Sequence, residues 1–193
     1  MEWKRGRPFN YYAAETRQDT GTYRGGLLYL VENRHFTPEV RNLTKGSSAR
    51  LPGDLLFVLN TIPNHPAALD AYSRYEAKYK TSKSFRKNRD NRPPQYSAEC
   101  FFERAARLYP GNPETQFVQA LHYYRRDDLS RAQSLLESAI KLSPDYIEAH
   151  YNLGLIYIKQ GRLELAKKHA AIAYDAGYPL AGLQRMIADR EQQ

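Results

Sequence analysis

Along residues 113–177 the apolar positions recur in steps of three and four, and the whole pattern recurs after 34 residues. Tyr123 is answered by Tyr157, Leu121 by Leu155 and Leu129 by Leu163. The small residues keep the same register, Ala132 with Ala166 and Ala139 with Ala173. Steps of three and four place side chains on one face of a helix. Small residues in fixed register mark places where two helices approach closely. A period of this length predicts stacked helix–turn–helix units.

Each period divides into two helices. In the second copy, residues 147–160 carry Tyr151, Leu155 and Ile158 on one face and Leu153, Ile156 and Tyr157 on the adjoining one. A helix with that much apolar surface packs on more than one side. Gly161 stops it, with Lys159 in its last turn. Residues 163–176 form the partner helix, with Ala166, Ala170 and Ala173 on its packing side and Gly177 at its end. In the first copy Pro113-Glu114 opens a helix with Pro in the first turn. Arg126-Asp127-Asp128 makes the turn, and residues 130–142 are the partner helix, closed by Ser143-Pro144-Asp145.

These positions resemble the tetratricopeptide repeat (TPR), whose pattern runs aromatic, Leu-Gly, Tyr, Ala, aromatic and Pro. The second copy supplies Leu153-Gly154, Tyr157 and Ala166, with His150 for the leading aromatic and Tyr178 for the closing Pro. The first supplies Tyr123, Ala132, Leu136, Ala139 and Pro144, with Gln119-Ala120 for Leu-Gly. The register continues upstream. Ala98, Phe102, Ala105, Leu108 and Pro110 each precede Ala132, Leu136, Ala139, Leu142 and Pro144 by 34 residues, so 96–109 reads as the second helix of an earlier repeat. Its first helix fits residues 66–79, with Leu69, Tyr72, Tyr75 and Tyr79 at helical steps. Residues 54–60 followed by Ile62-Pro63-Asn64 look like the end of another repeat. Pro63 and Pro110 lie 47 residues apart instead of 34, which implies an insertion, placed at residues 80–95.

The flanks lack the period. Residues 1–26, rich in Tyr, Arg, Gly, Thr and Asn, read as an extended arm, disordered alone or laid along a surface. Leu27 to Val31 is an apolar run too short to assign. Thr37-Pro38-Glu39 predicts a helix start with a capping hydroxyl, with Val40 and Leu43 buried and Gly46 as its stop. Residues 47–53 read as a loop. At the end, residues 179–190 form a one-sided helix with the stripe Leu180, Leu183 and Ile187. Such a helix covers the apolar face a last repeat exposes. The expected fold is therefore all-α. A TPR-type α-solenoid spans 54–178, with a basic insertion at 80–95. A non-repeat arm (1–26) and helical lead-in (27–53) precede it, and a capping helix and tail (179–193) follow.

The runs His35-Phe36-Thr37-Pro38-Glu39-Val40, Leu51-Pro52-Gly53-Asp54-Leu55 and Pro63-Asn64-His65-Pro66-Ala67-Ala68-Leu69 are similar to a group of small proteobacterial TPR proteins. The group is commonly made with a secretion signal. This resemblance implies a periplasmic protein whose signal is missing from this numbering. A native start at Met1 implies the cytoplasm, since residues 1–26 hold no hydrophobic signal core.

Charge and chemistry narrow the function. The net charge of +8 favours acidic partners. Cys100 is the only cysteine, so an internal disulfide and a cysteine metal cluster are excluded. No apolar run is long enough to span a membrane as a helix. The histidines (His35, His65, His122, His150 and His169) do not stand at metal-ligand spacing. His65 falls in a turn and His150 at a packing position of the repeat. No nucleophile elbow or Gly-rich phosphate loop appears. The expectation is no enzyme, no metal and no cofactor.

Two binding surfaces stand out. In the repeat family the first helix of each pair lines a concave groove. The matching positions here are Phe117, Val118, Leu121, Tyr124 and Arg125, with Tyr151, Asn152, Leu155, Ile158 and Lys159. An apolar and aromatic lining with polar ends suits an extended peptide or a helix. Asn152 matches an asparagine that some members use to grip a C-terminal carboxylate, but Phe117 and Leu121 stand where its basic companions belong. The arm or the capping helix could fill this groove instead. The second surface is the insertion. Lys78, Lys80, Lys83, Arg86, Lys87, Arg89 and Arg92 face Asp90 alone, with Tyr75, Tyr79, Phe85 and Tyr96 interleaved. Cations among aromatics can neutralise phosphates and stack bases, and a solvated loop has the same composition. The reading is a non-enzymatic interaction module holding a partner protein or another copy. Polyanion or nucleic-acid binding through 78–92 is the alternative.

Overall fold

The computed structural model describes residues 8–192, and among them there are helices and no strand. The chain divides into two compact units, Met1–Pro110 and Gly111–Gln193.

The second unit holds the clear repeats. Helix α8 (Pro113–Tyr124) pairs with α9 (Leu129–Leu142), and α10 (Ile147–Lys159) pairs with α11 (Leu163–Asp175). Numbers up to α7 belong to the first unit. Asn112 starts α8 by accepting the Thr115 N–H at 3.0 Å, and Asp128 starts α9 by accepting that of Arg131 at 3.1 Å. The two hairpin turns are copies. Asp127 (φ 60°) and Gly161 (φ 73°) both take the left-handed conformation, 34 residues apart. Behind them Asp128 N–H bonds to Tyr123 O at 3.0 Å and Arg162 N–H to Tyr157 O at 2.8 Å, closing each helix the same way. Ala132, Ala139, Ala166 and Ala173 are fully buried where the helices cross. A last helix, α12 (Gly182–Glu191), packs on α10 and α11. Leu183 is its buried residue, joined by Met186 and Ile187. Leu180, expected in that stripe, precedes the helix and is 55% exposed. Its carbonyl accepts the Tyr174 hydroxyl instead.

The first unit is less regular. Helix α4 (Leu51–Thr61) pairs with α5 (Pro66–Thr81), and α7 (Ala98–Leu108) packs on α5. Ahead of them lie α1 (Ala14–Arg17), α2 (Leu27–His35) and α3 (Pro38–Arg41), and α6 (Lys83–Lys87) follows α5. Leu27 to Val31 is therefore the start of a helix. The α3 segment is one turn only. Thr37 makes no side-chain capping bond there, and the chain turns out at Leu43 (φ 59°) rather than at Gly46. Val40 and Leu43 are buried, as their pattern predicted. The stretch read as loop up to Gly53 is already helical from Leu51. Its organiser is Asp54, a fully buried carboxylate that accepts the Ser47 N–H at 2.6 Å and the Ala49 N–H at 3.1 Å.

Residues 8–26 of the arm lie along this unit, while residues 1–7 and 193 are outside the described residues. Phe9 N–H bonds to Thr61 O at 2.9 Å. Tyr11 N–H bonds to Asn64 Oδ1 at 2.9 Å, and Asn64 returns a bond to Asn10 Oδ1 at 2.8 Å. Tyr109 donates its hydroxyl to Pro8 O at 2.6 Å.

Candidate interaction surfaces

The ten groove positions divide into two sets. Val118, Tyr151 and Ile158 are only 6%, 7% and 3% exposed, and Tyr151 and Ile158 belong to the second unit's own core. Tyr151 lies against the Tyr178 ring (4.4 Å between centroids) and beside Gly182 of α12. Burial pushes its phenol pKa up. The other seven keep exposed surface. Phe117, Leu121 and Tyr124 lie four and three residues apart on one face of α8. Asn152, Leu155 and Lys159 form the matching line on α10. The Lys159 ammonium lies 4.5 Å over the Tyr124 ring and 3.4 Å from Asp127, tying the lines together. Asn152 donates its amide to Glu148 O at 2.7 Å within its own helix. Phe117 packs on Tyr146 at 5.1 Å. A pocket of about 240 Å³ opens between α10 and α12, with Ile158 and Met186 as its apolar part and Lys159, Asp189 and Arg190 at its polar end.

The basic segment differs from its expectation as a solvated loop. Helix α5 runs on to Thr81 and α6 follows at once. Phe85 is buried, edge-on to Tyr75 at 5.5 Å, so the segment packs against the unit. Tyr72 and Tyr75 are buried too, and burial pushes the Tyr72 phenol up to about 12. The interleaved aromatics are thus core, apart from the half-exposed Tyr79 and Tyr96.

The structure also pairs histidines that the sequence leaves apart. His35 donates from Nδ1 to buried Asp54 at 2.7 Å and stacks on Phe57. His65 caps α5 by accepting Ala68 N–H at Nδ1, which leaves Nε2–H to donate to Glu32 at 3.1 Å. Burial pushes the His65 pKa down, and the bond it donates lowers that of Glu32, so a neutral imidazole faces a carboxylate. His150 and His169 bring their Nδ1 atoms to 2.9 Å, with His150 Nε2 donating to Pro144 O at 3.0 Å. That tautomer makes His150 Nδ1 the acceptor and His169 the donor. Burial, then the neighbouring His150, hold the His169 pKa down at about 4. Sequence separations of 19, 33 and 19 hide these pairs from spacing rules. Among the described residues no three His, Cys, Asp or Glu side chains are grouped to hold a metal. No described helix is long and apolar enough to cross a membrane.

Paired antiparallel helices in register, with one face left open, define an all-α solenoid of the TPR type. Residues 120–161, from within α8 to the turn after α10, match the TPR repeat family. The fold is similar to the crystal structure of TTC0263, a thermophilic TPR protein of Thermus thermophilus. That chain is 18% identical, with a TM-score of 0.50, and the match covers 74% of this chain and 72% of that one. Among curated proteins none matches significantly.

Proposed function

We propose that the second unit is a non-enzymatic protein-interaction module, which holds a peptide or helix of a partner protein on the face formed by α8 and α10. The observation that carries this is the set of side chains left half-exposed after packing. Phe117, Leu121, Tyr124 and Leu155 present apolar and aromatic surface, flanked by Arg125, Asn152 and Lys159. Apolar side chains clustered on one face, rather than scattered singly, are the kind of patch that marks an interaction site. Half-buried apolar anchors with a polar rim are what a helix or extended peptide requires.

The test is the pair Tyr124→Ala and Leu155→Ala, chosen because neither is fully buried. Tyr151 is left alone, since its ring is part of the fold. Partner recovery from a native extract is expected to fall at least about tenfold, with a cooperative melt retained at a somewhat lower temperature. Full recovery with the folded double variant would move the partner off this face.

A further inference from the structure

A charged ledge is built onto the end of α5 in the first unit. Between Lys78 and Arg92 stand seven basic residues and one acid, Asp90. Like charges this dense repel, and an unrestrained chain relaxes such a run into solvent. Here the backbone is fastened instead. Ser82 Oγ accepts the Phe85 N–H at 3.2 Å, and Asn91 Nδ2 donates to Phe85 O at 2.8 Å. The Tyr75 hydroxyl is used twice, donating to Arg92 O at 2.6 Å and accepting Arg92 N–H at 2.9 Å. The buried Phe85 ring pins the centre, with the Lys78 ammonium 4.9 Å from its centroid.

Several of the cations are used locally. Lys80 pairs with Glu76 at 2.8 Å. Arg86 donates to the carbonyls of Tyr79 and Lys80 at 2.8 and 2.9 Å, closing the end of α5. Lys83, Lys87 and Arg89 are exposed. Among the described residues no carboxylate pairs with any of the three. Cations held on an anchored backbone without an internal counter-charge fit an anionic partner. The rings decide which kind. Tyr75 and Phe85 are buried, and the half-exposed Tyr79 and Tyr96 rest on Tyr75 at 6.2 Å and on Phe101 at 6.0 Å, so these rings pack on the unit's own aromatics rather than standing out for unpaired bases. The five residues of α6 rise about 7.5 Å. That is the reach of a few extended peptide residues.

We propose that this ledge binds an acidic peptide segment of a partner protein, a short run of Asp or Glu carboxylates meeting Lys83, Lys87 and Arg89. The test is fluorescence anisotropy of the full chain against three probes: a labelled oligoglutamate of about ten residues, a duplex DNA of about the same length, and vesicles containing anionic lipid. The variant is Lys83→Ser with Lys87→Ser and Arg89→Ser; Arg86 is kept because it closes α5. The oligoglutamate is expected to bind at about 50 mM salt, to weaken sharply by about 200 mM, and to lose at least about tenfold in a variant that melts with the parent. Absence of peptide binding, unchanged affinity in the variant, or tighter binding of the duplex or the vesicles would overturn the proposal.

Discussion

Leu183 of α12 fills the space that Gly154 of α10 leaves open. A β-carbon at position 154 would stand 2.5 Å from Leu183 Cδ2. The Leu-Gly step of the repeat thus has a local purpose here: glycine lets the next helix seat a leucine against the backbone. Gly154→Ala is expected to push α12 outward and to destabilise by roughly 1–3 kcal/mol, as overpacking does. Thermal melting, with limited proteolysis of residues 182–191, reads both effects. An unchanged melt with an equally protected α12 would show that Leu183 has room to move.

The histidine pairs give the stability a direction with pH. His169 has a folded pKa of about 4 against an ordinary 6.5, and that of His65 is also lowered. Below pH 6.5 the unfolded chain takes up protons that the folded chain refuses, so stability falls as pH drops toward 4. Lys168 adds to the effect at His169, and Glu137 opposes it. The melting temperature is therefore expected to be lower at pH 5 than at pH 7. His169→Asn, which keeps a donor for His150, should narrow that difference. A melt equally stable at both pH values would contradict the pairing.

Phe85 anchors the basic segment. Phe85→Ala is expected to cost about 3–5 kcal/mol, the range for truncating a buried Phe to Ala. It should also open residues 83–92 to trypsin while α8 to α11 stay protected. A variant as stable and as resistant as the parent would return the segment to a solvated loop.

The second unit was legible in the sequence because its contacts are local and periodic. Both hairpins, their alanines and the stop at Gly161 follow from one 34-residue register. Asp127 takes the same left-handed turn without a glycine to announce it. In the first unit the organising contacts join residues far apart. Tyr11 meets Asn64 across 53 positions, and Tyr109 meets Pro8 across 101. No pattern along the chain marks such bonds. The same holds for Asp54, whose burial makes the helix begin at Leu51 where composition suggested a loop. Of the groove residues, the face of α8 and α10 was readable from helical spacing. The burial of Tyr151 and Ile158 was not, because Tyr178 and α12 had to be placed first.

Binding at the α8–α10 face is tested most directly by a photo-crosslinking side chain placed singly at positions 121, 155, 168 and 171. Leu121 and Leu155 stand on that face, whereas Lys168 and Ala171 are exposed on α11. In a native extract, positions 121 and 155 are expected to trap the same partner protein, and 168 and 171 to trap none of it. Capture of that partner from 168 or 171 with none from 121 and 155 would contradict the proposed face.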